Sequence, residues 1–183
     1  MQILQAVNWI LPKLGEHPVT NLNPKHPTLA VILPSLERLT DNVLRRGWWF
    51  NVYHTTIYPD SEGYAFVPQP TLEFLPDEPG PVTRGERFFN TKTATWKFDK
   101  PFSGEIKIRV PFEQIPESVA EYITSVVLVD VYATDIGSGD TIDVWNNYVE
   151  SAESAATAEH LRNMRHNTKK LARYRRIRGA MRG

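Results

Sequence analysis

The stretch Arg45-Arg46-Gly47-Trp48-Trp49-Phe50-Asn51 divides this chain into two kinds of hydrophobic pattern. Before it, apolar residues recur at helical spacing; after it, they alternate as in strands. Gly47 falls where the helix must stop, since a residue without Cβ can adopt the left-handed conformation that follows a helix end. Arg45 and Arg46 occupy the last turn, where cations complement the helix dipole. The three aromatic residues that follow form a hinge too large to leave in water; each ring buries about 150–250 Å² when covered, and the chain enters its β section here. In a strand, Trp48 and Phe50 would share one face and Trp49 the other. One face must pack on the preceding helices, so the other needs separate cover or a partner chain. The pattern is that of a helical body interrupted by a β section.

With 183 residues the chain suits one domain, or one domain carrying a sizeable insertion. No apolar run approaches the ~20 residues needed to cross a bilayer, and the N-terminus lacks the basic region and cleavage site of a secretory signal. The absence of cysteine excludes disulfides, thiol catalysis and zinc–thiolate sites.

The formal net charge is zero, yet the charges are segregated. Residues 160–183 hold nine Lys or Arg and no Asp or Glu, which leaves 21 − 9 = 12 basic against 21 acidic residues elsewhere, a net of −9. An acidic body with a basic tail suits a polyanionic partner.

Residues 2–15 read as a helix that Pro12 kinks or ends early and Gly15 stops. Residues 16–27, rich in Pro and Asn, form a loop. A second helix follows with Leu29, Ile32, Leu36, Leu39 and Val43 on a broad apolar face, interrupted by Pro34. Period-two alternation over residues 50–52, 64–66, 72–74, 95–98 and 105–110 predicts strands, and Asn90-Thr91-Lys92 predicts a hairpin turn. Six prolines between Pro59 and Pro81 imply short edge strands. Pro116-Glu117-Ser118 starts a third helix; within it, 126–132 is β-branched enough to suit a buried strand as well. Gly137-Ser138-Gly139-Asp140 is a break, and a last helix begins near Thr141. If that helix continues, Arg162, Arg165, Lys169, Arg173 and Arg176 fall within a ~80° stripe, beside an apolar face of Leu161, Met164 and Leu171. Such a rod fits nucleic acid, a membrane surface or an acidic protein groove.

Catalytic signatures are lacking: there is no phosphate-binding glycine loop, no His-Glu-x-x-His and no Gly-x-Ser-x-Gly. The histidines (His17, His26, His54, His160 and His166) are scattered, and His54, the only one in a predicted strand, reads as structural. Asp135, Asp140 and Asp143 lack calcium-loop spacing and read as an inter-helix turn with capping carboxylates. No enzyme and no cofactor is expected.

Several stretches occur in an order that is collectively specific. They are Ala6-Val7-Asn8 through Ile10-Leu11, Leu14-Gly15-Glu16 with Pro18-Val19, Arg46-Gly47-Trp48 with Phe50-Asn51, Phe98-Asp99, Ile106–Arg109, and Pro116-Glu117 with Tyr122-Ile123. In this the chain resembles the tail tubular protein A family, head-to-tail adaptors of short-tailed double-stranded DNA bacteriophages. The resemblance runs from residue 6 to about 125 and fades beyond. The family pattern has a smaller residue at Trp49 and no proline at 34.

The resemblance implies an α+β fold: an antiparallel bundle of about four helices (1–47 and 111–159), an inserted β-rich subdomain (48–110) and a basic C-terminal helical arm (160–183). It implies a virion protein, made in the bacterial host cytoplasm, that forms a dodecameric ring. The ring joins the portal protein to the tail nozzle, tail tubular protein B, and DNA passes through its lumen without sequence-specific binding; no membrane is involved. The arm would clasp the portal, or touch DNA, through Arg162, Arg165, Lys169, Lys170, Arg173, Arg175, Arg176 and Arg178, while Trp49 would lie at the subunit interface. The alternative is a nucleic-acid-binding protein acting through the basic tail.

Overall fold

The computed structural model describes residues 1–23, 25–135, 137 and 141–168. The fold is α+β, with four α-helices and antiparallel sheets among the described residues. The chain divides into two compact units, one containing Met1–Thr40 and the chain from Pro111 onward, the other Asp41–Val110.

In the first unit, α1 (Ile3–Ile10) ends early, as Pro12 requires. Leu11–Leu14 tighten into a 3₁₀ turn, and Gly15 follows at φ +82°. Asn8 pins the next loop back on α1: its Nδ2 donates to the Val19 carbonyl at 2.9 Å, and its Oδ1 accepts from the Val19 N–H at 2.8 Å. Helix α2 (Pro27–Leu44) runs unbroken through Pro34. Pro34 and Ala30 are both exposed, so the carbonyl that loses its donor lies on the wet side of the helix.

Helix α3 (Glu117–Asp135) settles residues 126–132 as helix. Val119, Ile123, Val127, Leu128 and Val131 on it are fully buried, and α1 and α4 (Thr141–Thr168) both pack on it. With neighbours on more than one side, its apolar residues need not keep to one stripe, which explains the strand-like composition.

The second unit holds β1 (Val52–Ile57), β2 (Thr71–Pro76), β3 (Pro81–Arg84), β4 (Arg87–Asn90) and β5 (Phe102–Ile108). The order β1-β5-β2 forms one antiparallel sheet with β5 central; β3 and β4 form a hairpin of their own. Ile106 on β5 is fully buried among Ile57, Phe74, Phe88 and Phe98. Phe88 sits edge-to-face with Phe74 at 4.9 Å and with Phe102 at 5.1 Å.

Three expectations need correcting. Trp48–Phe50 is a turn, and the first strand starts only at Val52. The Asn51 N–H donates to the Trp48 carbonyl at 3.1 Å, and the Trp48 N–H donates back to Asn51 Oδ1 at 2.8 Å. A side chain thus takes the place of a sheet partner. Secondly, residues 64–66 and 95–98 make only isolated bridges, Tyr64 with Lys97, Phe66 with Arg87 and Thr95 with Asn90. Thirdly, the β3–β4 hairpin was not foreseen, because aromatic residues occupy both of its faces and hide the alternation. The turn after Asn90 is present, closed by the Asn90–Thr95 bridge.

Candidate assembly interface

The C-terminal carbonyls of α2 are the last acceptors of a helix and have no partner within it. Side chains from the following segments supply donors. Trp48 Nε1 donates to the Val43 carbonyl at 2.8 Å, and Asn51 Nδ2 to the Leu44 carbonyl at 3.0 Å. Lys107 Nζ donates to the Arg45 carbonyl at 2.7 Å, with Glu73 at 2.6 Å on its other side. Gly47, at φ +80°, permits this return, and its own N–H also reaches the Leu44 carbonyl. Lys107 brings its charge to the negative end of the helix dipole.

This capped end fixes the three aromatic residues. Trp48 is buried, while Trp49 and Phe50 are half-buried. Trp49 stands edge-on to Trp48 at 6.4 Å and to Phe50 at 5.1 Å. The predicted interface residue is therefore held partly within its own junction.

Of the predicted basic contacts, Arg162 is exposed on α4, and Arg165 lies on the same helix, which runs without a break to Thr168. Lys169, Lys170, Arg173, Arg175, Arg176 and Arg178 lie outside the described residues. Asp135 and Asp143 flank the predicted break, Asp143 in the first turn of α4. His54 pairs with Asp77 at 2.8 Å on the surface. Among the described residues, no three His, Asp or Glu side chains converge on a metal site.

Two further surfaces stand out. Helix α4 spans 28 residues, about 42 Å at 1.5 Å per residue, yet Ala156 is its only fully buried described side chain. It exposes Val144 near its start and, on a different side, Leu161 and Met164 near its end, while the half-exposed Tyr148 meets Trp9 of α1 edge-to-face at 6.2 Å. The second surface is the outer face of the β3–β4 hairpin and its neighbours. Phe88 points inward, so Arg87 and Phe89 point out, opposite Arg84 and Val82. Phe66 and Trp96 extend that face and are 49% and 40% exposed. Cations lie over the rings: Arg84 over Phe89 at 3.9 Å, Arg87 over both Tyr64 and Phe66 at 5.2 Å, and Lys97 over Tyr64 at 5.6 Å. Sequence alone did not single out this face; the adjacent pair Phe88-Phe89, one ring for each side of a strand, was the available signal.

The chain is similar to known proteins over nearly its whole length. The family described as tail tubular protein matches residues 4–170. Tail tubular protein A of Klebsiella phage KP34 is 32% identical over 186 aligned positions, which cover 98% of each chain.

Proposed function

The chain belongs to the tail tubular protein family, structural components of the bacteriophage tail, and we propose that it acts there as a head-to-tail adaptor. In this reading identical copies close into a ring, dodecameric by the family resemblance, between the portal and the tail nozzle, and DNA leaves through the lumen. The observation that carries the reading is the end-to-end similarity to a tail tubular protein A, without a large unmatched segment in either chain.

The surface of α4 supports a ring. A long helix with a single fully buried side chain among its described residues, and with Val144, Leu161 and Met164 exposed, suits burial by neighbouring subunits. Charge supports the division of labour. An acidic body lets DNA slide rather than stick, and the basic arm seeks an acidic or DNA-lined surface. The protein works by binding and has no catalytic role.

The test compares the full chain with a version ending at Thr168, which keeps every described residue of α4 and removes six of the eight basic contacts. Each is incubated with portal-bearing heads, which are sedimented and imaged. The adaptor reading expects rings at the portal vertex with the full chain and loss of docking with the shortened one. Docking by both would move the clasp into the body. If neither docks, and the full chain holds duplex DNA with a log–log salt slope of about −4 to −5, the protein binds nucleic acid through its tail instead.

A further inference from the structure

An antiparallel sheet with one buried face normally shows polar side chains on the other. The second unit departs from this. Its inner face buries Phe74, Phe88 and Ile106, while its outer face presents Phe66, Val82, Phe89 and Trp96. Phe89 and Trp96 meet edge-to-face at 5.1 Å. Beside them Tyr64, Arg84, Glu86, Arg87 and Trp96 line an open cleft of about 360 Å³. An exposed aromatic face of this kind marks a contact surface.

Its charges narrow the partner. Arg84, Arg87 and Lys97 have no carboxylate within ion-pair distance among the described residues, so with Glu86 the face carries a net 3 − 1 = +2. Cations already lie over Phe89, Tyr64 and Phe66, which leaves fewer ring faces free for stacking on nucleic-acid bases. Two exposed guanidiniums without a carboxylate partner among the described residues, set beside exposed rings, suit carboxylates beside apolar side chains.

The chain itself carries such a surface. The N-terminal half of α4 exposes Asp143 and Glu150, seven residues apart and so on one side of the helix, with the exposed Val144 next to Asp143. Neither carboxylate has a cationic partner among the described residues. We propose that the outer aromatic–cation face of the β3–β4 hairpin docks on the acidic N-terminal half of α4 of a second copy of this chain. The contact is head-to-tail, since two different surfaces meet, and such a contact repeats into a ring where its rotation closes and into a filament where it does not. It rests on the ring reading above and supplies that reading with a specific subunit contact.

The test uses full-length protein, with native mass spectrometry and negative-stain imaging to count subunits. R84E/R87E reverses the hairpin face, and D143R/E150R reverses the helix face; all four positions are exposed, and circular dichroism checks the fold. Each variant alone should weaken association by about tenfold or more. Mixed in equal amounts, each variant's reversed face finds its complement on the other, and rings with an even number of subunits should return. The milder R84Q/R87Q should assemble but come apart at lower salt than wild type. Rings that persist in both reversed variants would overturn the contact while leaving the adaptor reading intact. Loss of rings without recovery on mixing would also overturn it, since the hairpin face would then have another occupant. R84E/R87E that keeps its rings but loses single-stranded DNA would identify that occupant as nucleic acid. A wild type that never forms rings, in solution or on portal-bearing heads, would remove the ring reading and this contact with it.

Discussion

Asn51 donates its side-chain N–H to the backbone carbonyl of Leu44 at 3.0 Å, so one carboxamide ties a helix end to the start of a sheet. Its second N–H reaches the Ile108 carbonyl at 3.0 Å, and its oxygen takes the Trp48 N–H. Asn51 is fully buried, so water cannot replace these bonds. Asn51→Leu keeps the size of the side chain but strands its partners, each at about 1–3 kcal/mol. The Leu44 carbonyl keeps the Gly47 N–H, which moderates the total. The expected loss is about 3 kcal/mol or more, read as a lower urea midpoint with unchanged slope. Asn51→Asp should be no better, since a carboxylate would face two carbonyl oxygens. Wild-type stability in either variant would refute the pin.

Gly104 in the central strand is required by a close approach. A Cβ there would lie 2.5 Å from the Leu75 carbonyl oxygen and 2.5 Å from Phe74 Cζ. The oxygen belongs to the paired strand and cannot swing aside as a side chain can. Gly104→Ala should therefore cost about 3 kcal/mol, the upper end for overpacking. Gly85→Ala is the comparison: φ is +62° with nothing within 4 Å, so only the left-handed conformation opposes it, at about 1–2 kcal/mol. Equal losses at the two sites would contradict this account.

Where the sequence was legible, the governing physics was local. Pro12 and Gly15 end the first helix because each acts through its own backbone. Gly47 at φ +80° closes α2 for the same reason, and Ile106 follows the alternation of its strand into the core. The Trp48–Phe50 turn was not legible, because a run of aromatics favours a strand until a buried side chain offers another partner. That partner, Asn51, bonds to Ile108 across 57 residues. The hairpin face was hidden similarly: Phe89 and Trp96 come together only once Asn90 and Thr95 pair. Of the candidate site, the charge segregation could be read directly, since it is a property of composition. Which side chains surround Trp49 could not, since that depends on the turn.

Lys13 gives a pH signature. Its Nζ lies 3.4 Å above the Trp9 ring and donates to the Trp9 carbonyl at 2.8 Å. Burial pushes its pKa below the ordinary 10.5. The unfolded chain therefore holds this proton more tightly than the folded one. The stability linked to it is complete above pH 10.5 and is lost as pH falls through the lower folded value. Wild type should gain on Lys13→Met as pH rises toward that limit, with other groups cancelling in the difference. Urea midpoints of both proteins at pH 8, 9 and 10 provide the check; a difference that stays constant would exclude the linkage.

Trp49 separates a role inside the chain from a role between chains. Its edge contacts with Trp48 and Phe50 are worth about 0.5–1.5 kcal/mol each. Trp49→Ala should accordingly destabilise the chain by about 1–3 kcal/mol, and so cannot by itself report on assembly. Trp49→Phe keeps an aromatic ring against both neighbours and should fold within about 1 kcal/mol of wild type. A half-buried indole at a subunit contact would still lose area and its N–H in that exchange, weakening association by about tenfold or more. The two quantities are measured separately, stability by urea unfolding and association by subunit count against concentration. If Trp49→Phe lowers association but not stability, Trp49 belongs to the subunit contact. If it assembles like wild type at every concentration, the residue serves only the turn that Asn51 holds.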